Sequence, residues 1–511
     1  MRKYLLLFII AIFAMSCSKK VEVKGKVTGG SPLERVEIVE ASGVATLPLI
    51  NMGVDKDGNF SGSFNAPKNG MYLISYGQNK NLIYLEGGQK LQISGNAMTF
   101  PNEYVVTGDA KKNNDFFMAT QKFITNYAQT FDMNGLMSKD EKSFVQGLQK
   151  VEADINKNLE ENIKKVNPGK GIVSWKKNDI ASTMLSILTQ YEMRQKQFSG
   201  NPSYKPSKVF TDYETKLQGN NKDEMVKESP GYRSYLLTKM SDSFQKFATE
   251  KTKTQKDAIT SEMFSEFLKT QKDLSQTTKD YLLAFVMANS DILPSAPVKT
   301  IDAVKKITTE DIKDAQVKKD LEALQFAMFG FKIGEVAPDA PLVKADGKAF
   351  KFADNKGKPT LVMTYASWNP YIGESVVPIL REVVKFYKSK MNFVYINVDD
   401  TKEQFTKTSS SLLKGIDGIN VYGEGGLNSE VAKKYGIYGL KLPCFFVVDK
   451  DGKIASKQFF NLGEQELVDV LDKQTGLSAP KVDPRVQLES GYIPQEAVPT
   501  PQPAPAVPEQ K

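Results

Sequence analysis

Thr364-Tyr-Ala-Ser-Trp-Asn-Pro-Tyr-Ile-Gly-Glu-Ser-Val-Val-Pro378 lies between two segments of different character. Before it, Pro359 to Tyr365 is a short apolar run of the kind that forms a buried strand. After it, Val376 to Phe386 repeats its apolar residues at the spacing of an amphipathic helix. The stretch is therefore a turn at a strand-to-helix junction.

Its surroundings extend the pattern. They include the entry Ile333-Gly-Glu-Val-Ala-Pro-Asp-Ala-Pro-Leu-Val-Lys-Ala-Asp-Gly-Lys348, the lead Gly357-Lys-Pro-Thr360 and the triplet Ala366-Ser-Trp368. Further on come Tyr435-Gly-Ile-Tyr-Gly-Leu-Lys-Leu-Pro443 and Phe445-Phe-Val-Val-Asp-Lys-Asp-Gly-Lys-Ile454. Together, from Phe331 to Leu477, these residues resemble the thioredoxin-like domains of membrane-tethered bacterial thiol:disulfide oxidoreductases of the TlpA and ResA kind. The resemblance implies an α/β fold, a redox site at the turn, and a cis-proline at Pro443 beside it. In that family two cysteines would stand where this chain has Asn369 and Ile372, and neither residue can form a disulfide. Relative to the family spacing, one extra residue lies between Ile372 and Pro378.

Residue types absent from the chain narrow its chemistry. None of the 511 residues is a histidine, which excludes imidazole bases, Ser-His-Asp triads and the commonest transition-metal ligand. No metal site and no cofactor is expected. Only two cysteines occur, Cys17 and Cys444. The length exceeds the roughly 250 to 300 residues at which a single core stops growing, so several folded regions are expected. A formal net charge of +8, carried by dispersed lysines, gives no dedicated nucleic-acid surface.

The chain opens with Arg2 and Lys3, an apolar run from Tyr4 to Ala14, and then Met15-Ser-Cys17. This is the layout of an export signal, with an apolar run too short to span a bilayer. Residues 1–16 resemble a lipoprotein signal peptide, which implies that Cys17 becomes the acylated first residue of the mature chain. Acyl chains of the palmitate type would then hold the protein to the outer membrane, facing the periplasm.

Residues 17–108 read as β-rich, with alternation in Val21-Glu-Val-Lys-Gly-Lys-Val27 and a turn signal at Asp55-Lys-Asp-Gly58. This region is similar to β-rich domains that precede thioredoxin-like domains in lipoproteins of the Bacteroides group. Residues 109–330 read as all-α. Ser138-Lys-Asp-Glu141 has the form of a capping box, and Phe144, Leu148, Val151, Ile155, Leu159 and Ile163 form one apolar stripe that Asn167-Pro-Gly169 ends. Ser229-Pro230 places a cap before a proline at a first helical position. The thioredoxin-like region is assigned to residues 331–477. Residues 478–511 are proline-rich, cannot bury a core, and are expected to be a disordered tail.

Two functions compete. The favoured expectation is a protein that is not an enzyme: a redox-inactive binding or accessory lipoprotein with no catalytic residue. In this reading Trp368, Tyr371, Leu442 and Pro443 line a groove for a peptide or envelope protein, and the lipid joins the chain to the membrane. The alternative is a thiol:disulfide oxidoreductase that works through the free thiol of Cys444, alone or with a partner thiol. With no histidine to activate it and Phe445-Phe-Val-Val448 following as a buried strand, Cys444 reads as a small apolar filler.

Overall fold

The computed structural model describes residues 19–198, 203–255, 257–355 and 357–479. The signal segment, Cys17 and the tail from residue 480 lie outside the described residues. The chain forms two compact units: one runs to Phe331 and also takes Glu424–Leu440, and the other is Lys332–Gly423 with the chain from Lys441 onward.

In the first unit, alternating apolar residues make eight strands: β1 (Lys20–Thr28), β2 (Arg35–Glu40), β3 (Pro48–Gly53), β4 (Asn59–Asn65), β5 (Gly70–Tyr76), β6 (Asn79–Leu85), β7 (Lys90–Asn96) and β8 (Val105–Gly108). They form two four-stranded sheets, ordered β4-β1-β7-β8 and β3-β2-β5-β6. β1 is central in its sheet, antiparallel to β4 and parallel to β7. Val21, Val23 and Val27 face Ile38, Ile74 and Ile83 across a common core. Such a core follows from period-two alternation, because every second side chain of a strand points the same way.

Helices then follow: α1 (Lys111–Thr130), α2 (Met133–Met137), α3 (Glu141–Val166), α4 (Lys170–Phe198), α5 (Lys208–Gln218), α6 (Lys222–Glu228), α7 (Pro230–Thr254), α8 (Thr260–Thr270), α9 (Gln276–Ser290), α10 (Val298–Glu310) and α11 (Ala315–Phe329). The stripe read from the sequence is the buried face of α3, where Phe144, Leu148, Val151, Ile155 and Leu159 are all enclosed. Asn167 ends that helix in the left-handed conformation, φ 51°. Its start differs from the expected capping box. Asp140 is the cap and accepts from the Ser143 N–H at 3.0 Å, whereas the Ser138 hydroxyl donates back to the Asn134 carbonyl and completes the turn of α2. Ser229 does cap α7, accepting from the Tyr232 N–H at 3.1 Å.

The helical core is continuous with one face of the second sheet. Met71 and Tyr84, which point away from the sandwich interior, pack with Phe116, Phe117 and the other helical residues. β5 and β6 are thus covered on both sides. At the outer edge of β6, Asn114 of α1 pairs with one residue as a neighbouring strand would. Its Oδ1 accepts from the Tyr84 N–H at 2.9 Å, and its Nδ2 donates to the Tyr84 carbonyl at 2.8 Å. The opposite edge is closed the same way: Asn428 accepts from the Asn51 N–H at 2.9 Å and donates to the Asn51 carbonyl at 2.6 Å. Unpaired sheet edges invite other chains, and here both are met by carboxamides.

The second unit holds a six-stranded sheet ordered β10-β9-β13-β12-β11-β14, from β9 (Leu342–Lys344), β10 (Ala349–Phe350), β11 (Thr360–Tyr365), β12 (Asn392–Asn397), β13 (Ile419–Tyr422) and β14 (Cys444–Val448). β11, β12 and β13 are parallel, and β14 returns antiparallel to β11. Helices α12 (Val377–Tyr387), α13 (Lys402–Ser411) and α15 (Gln465–Thr475) belong to this unit, and α14 (Glu430–Tyr435) to the first. Every residue of β11 is buried, as an unbroken apolar run requires.

Candidate functional site

The turn begins where β11 ends. Ala366 leaves the sheet, the Asn369 N–H donates to the Ala366 carbonyl at 3.2 Å, and Ile372 opens a helix. That helix starts with a π-turn over Ile372–Val376, in which the Val377 N–H reaches back five residues to the Ile372 carbonyl. The wider turn accommodates the extra residue counted in the sequence, since a π-bulge is how a helix takes up one insertion. From Val377 the helix is α-helical, with Pro378 in its first turn.

The two positions where the family pattern has thiols are both filled inward. Ile372 is 3 % exposed and packs with Leu380, Val384 and Phe445. Asn369 is 8 % exposed, and its carboxamide bridges two backbones. Nδ2 donates to the Leu442 carbonyl at 2.7 Å, and Oδ1 accepts from the Tyr371 N–H at 2.9 Å. Leu442–Pro443 is a cis peptide, as the family pattern implies. The structure therefore brings Asn369 against the segment that carries Leu442 and Pro443, both of which are buried. Trp368 is half-buried, and Tyr371, at 61 % exposure, is the open side chain of the four groove candidates.

Cys444 follows Pro443 at the start of β14, paired across the sheet with Thr364. Its thiol is enclosed, and burial pushes it up to about 12; Lys441 and Thr364 act in the opposite sense without overcoming that. Lys441 is itself lowered by burial. A thiol so placed is almost wholly protonated near neutral pH, and the thiolate is the nucleophile.

Sequence reasoning passed over Asp399, in the loop after β12, which is fully buried directly against the turn. Its Oδ1 accepts from the Ser367 N–H at 2.6 Å and from the Ser367 hydroxyl at 2.9 Å. Its Oδ2 accepts from the Asn397 amide at 2.8 Å and the Thr408 hydroxyl at 3.3 Å. Only its place at the carboxyl end of a parallel strand, where open α/β sheets gather functional groups, could have flagged it. Among the described residues no cluster of ligating side chains suits a metal ion. A cavity of about 540 Å³ lies in the first unit, bounded in part by Leu49, Phe64, Asn428 and Tyr438, and includes none of the turn residues.

Comparison with known proteins agrees with this geometry. The AhpC/TSA family model matches residues 333–457. Thiol-disulfide oxidoreductases ResA of Bacillus thuringiensis and Bacillus cereus are each 28% identical to the chain over 148 residues, covering 28% of this chain and 79% of theirs. Among solved structures, a domain assigned as the C-terminal part of a Bacteroides thetaiotaomicron thiol-disulfide oxidoreductase is 31% identical. It is covered to 97%, against 28% of this chain, with a TM-score of 0.25. The thioredoxin domain of a Bacteroides vulgatus thiol-disulfide oxidoreductase is 21% identical, covered to 99% against 29% of this chain, with a TM-score of 0.25. These findings correct the expectation that the protein is not an enzyme, because the matched ResA relatives are named as thiol-disulfide oxidoreductases. The segment from residue 333 to 457 is a thioredoxin-like domain of the AhpC/TSA family, similar to the ResA-type thiol-disulfide oxidoreductases.

Proposed function

We propose that the protein is a thiol:disulfide oxidoreductase of the cell envelope that contributes a single thiol, Cys444, and takes the second from its partner. The observation that carries this reading is the position of that thiol, directly after the cis Leu442–Pro443 bond, in a domain similar to named thiol-disulfide oxidoreductases. The Cys444 thiolate attacks one sulfur of a partner disulfide, that S–S bond breaks, and the other partner sulfur leaves as a thiolate. A different thiolate of the partner then attacks the partner's sulfur in the mixed disulfide, so a new partner disulfide forms and Cys444 leaves as the thiolate. The cycle re-pairs the partner's cysteines with no net oxidation or reduction. Burial sets the rate, because the start of β14 must open before the thiol can ionise or be reached. Re-pairing of a scrambled model protein that carries one free thiol, catalysed by the mature protein and lost in Cys444→Ala, is the expected result. Equal rates for the two proteins, with no mixed disulfide trapped on Cys444, would overturn it.

Partner recognition is assigned to the turn. Tyr371 is exposed beside half-buried Trp368, and aromatic rings of this kind hold peptide segments by apolar contact. Asn369, between Trp368 and Tyr371 in the sequence, ties the turn to the buried Leu442–Pro443 segment. A photo-crosslinking residue at position 371 should give a discrete adduct in whole cells, and an adduct pattern matching a remote surface position would remove Tyr371 from the role. Anchoring is assigned to acylated Cys17 on the outer membrane, facing the periplasm, which the export-signal layout supports. No described helix is long and apolar enough to cross a membrane. Mass spectrometry of the mature terminus tests this, and an unmodified terminus elsewhere would refute it.

A further inference from the structure

A buried carboxylate surrounded only by neutral donors costs more to enclose than an amide or a hydroxyl would, so its geometry is informative. Asp399 divides its two oxygens. One takes both the N–H and the hydroxyl of Ser367, two residues beyond the end of β11. The other is tied to Asn397 at the end of β12 and to Thr408 on α13. Its own N–H donates to the Asn397 carboxamide oxygen at 3.0 Å, which fixes the carboxylate from below. The turn is therefore bolted to two rigid elements through one side chain, at the residue immediately before Trp368. The second attachment, Asn369 to Leu442, lies two residues further on.

We infer that Asp399 is the positioning residue of the site, the group that sets where Trp368, Asn369 and Tyr371 stand relative to the Leu442–Pro443 segment. Its importance for partner capture rests on the function proposed above; its hold on the turn does not. Hydrogen bonds from amide and hydroxyl donors to a carboxylate are the strong, charge-assisted kind. Losing them frees the backbone of the turn without touching the apolar contacts of β11 and β12.

The test compares full-length Asp399→Ala, Asp399→Asn and Thr408→Val proteins by hydrogen exchange, with quenching of Trp368 fluorescence read in a Trp175→Phe background. In Asp399→Ala, amides of residues 366–376 should exchange at least about tenfold faster, the change expected when one charge-assisted hydrogen bond is lost. Trp368 should also become more accessible to acrylamide. Asp399→Asn keeps an oxygen that accepts from Ser367 and should recover most of the protection. Thr408→Val breaks only the tie to α13, at Oδ2 and at the Gln404 carbonyl, and should lower stability while leaving the turn protected. The inference is overturned if the turn in Asp399→Ala exchanges as in the unmodified protein, or if Thr408→Val loosens it equally. These readouts need no catalysis. A protein with no disulfide turnover but a loosened turn in Asp399→Ala would refute the function and keep the positioning role.

Discussion

Two asparagines carry a task usually performed by whole strands. Asn114 and Asn428 each present one acceptor and one donor at the spacing of a peptide group, so a single side chain satisfies both outward groups of an edge residue. Asn114 is 1 % exposed and also donates to the Ala110 carbonyl, which fixes its carboxamide against the edge. Asn114→Ala is expected to cost about 2–4 kcal/mol, since it leaves the buried N–H and carbonyl of Tyr84 without partners. Urea unfolding measures the loss, and hydrogen exchange should locate it at β6. A cost below about 0.5 kcal/mol would mean that water serves the edge equally well. Neither asparagine was legible in the sequence. Their partners lie 30 and 377 positions away, and a polar residue carries no mark of which backbone it will meet. Asp399 was hidden for the same reason, whereas Pro443 could be read because its place in the family pattern is fixed.

Among the elements, the π-turn separates the phase of the site from the phase of the helix behind it. Val377, Leu380, Val384 and Tyr387 face the core at ordinary α spacing, while Ile372 reaches the same core from the far side of the extra residue. Deleting Ser375 should convert the π-turn to α geometry and leave the face of α12 unchanged, shifting Tm by no more than about 3 °C, roughly 1 kcal/mol in a unit of this size. Deleting Val383 should turn the rest of α12 by about 100° and abolish folding of the unit. Thermal melts of the two proteins distinguish these outcomes, and equal damage from both would show that the π-turn absorbs nothing. The sequence disclosed the surplus residue but not its form. It also disclosed α3, whose apolar stripe is regular, and left α4 without a name. Helix α4 buries Lys176, Ser182 and Thr189 alongside its apolar residues, which erases the periodic contrast.

Across the first unit, composition suggested a seam between β-rich and helical stretches, and the packing crosses it. Met71 and Tyr84 belong by sequence to the sheet and by contact to the helical core. The sandwich and the helices should therefore unfold together. In a Trp368→Phe background, the hydrogen-exchange protection of β1 to β8 and the emission of Trp175, which sits in α4 against Phe117, should be lost in one urea transition. Two separated midpoints would mean that the covered faces of β5 and β6 contribute little. β1 adds a mechanical property. It is flanked on both sides, paired from Lys20 to Lys26 with β4 and from Glu22 to Thr28 with β7. Tension applied ahead of Lys20 runs along the strand and loads both ladders in shear, so their bonds resist together and cannot be peeled apart one at a time.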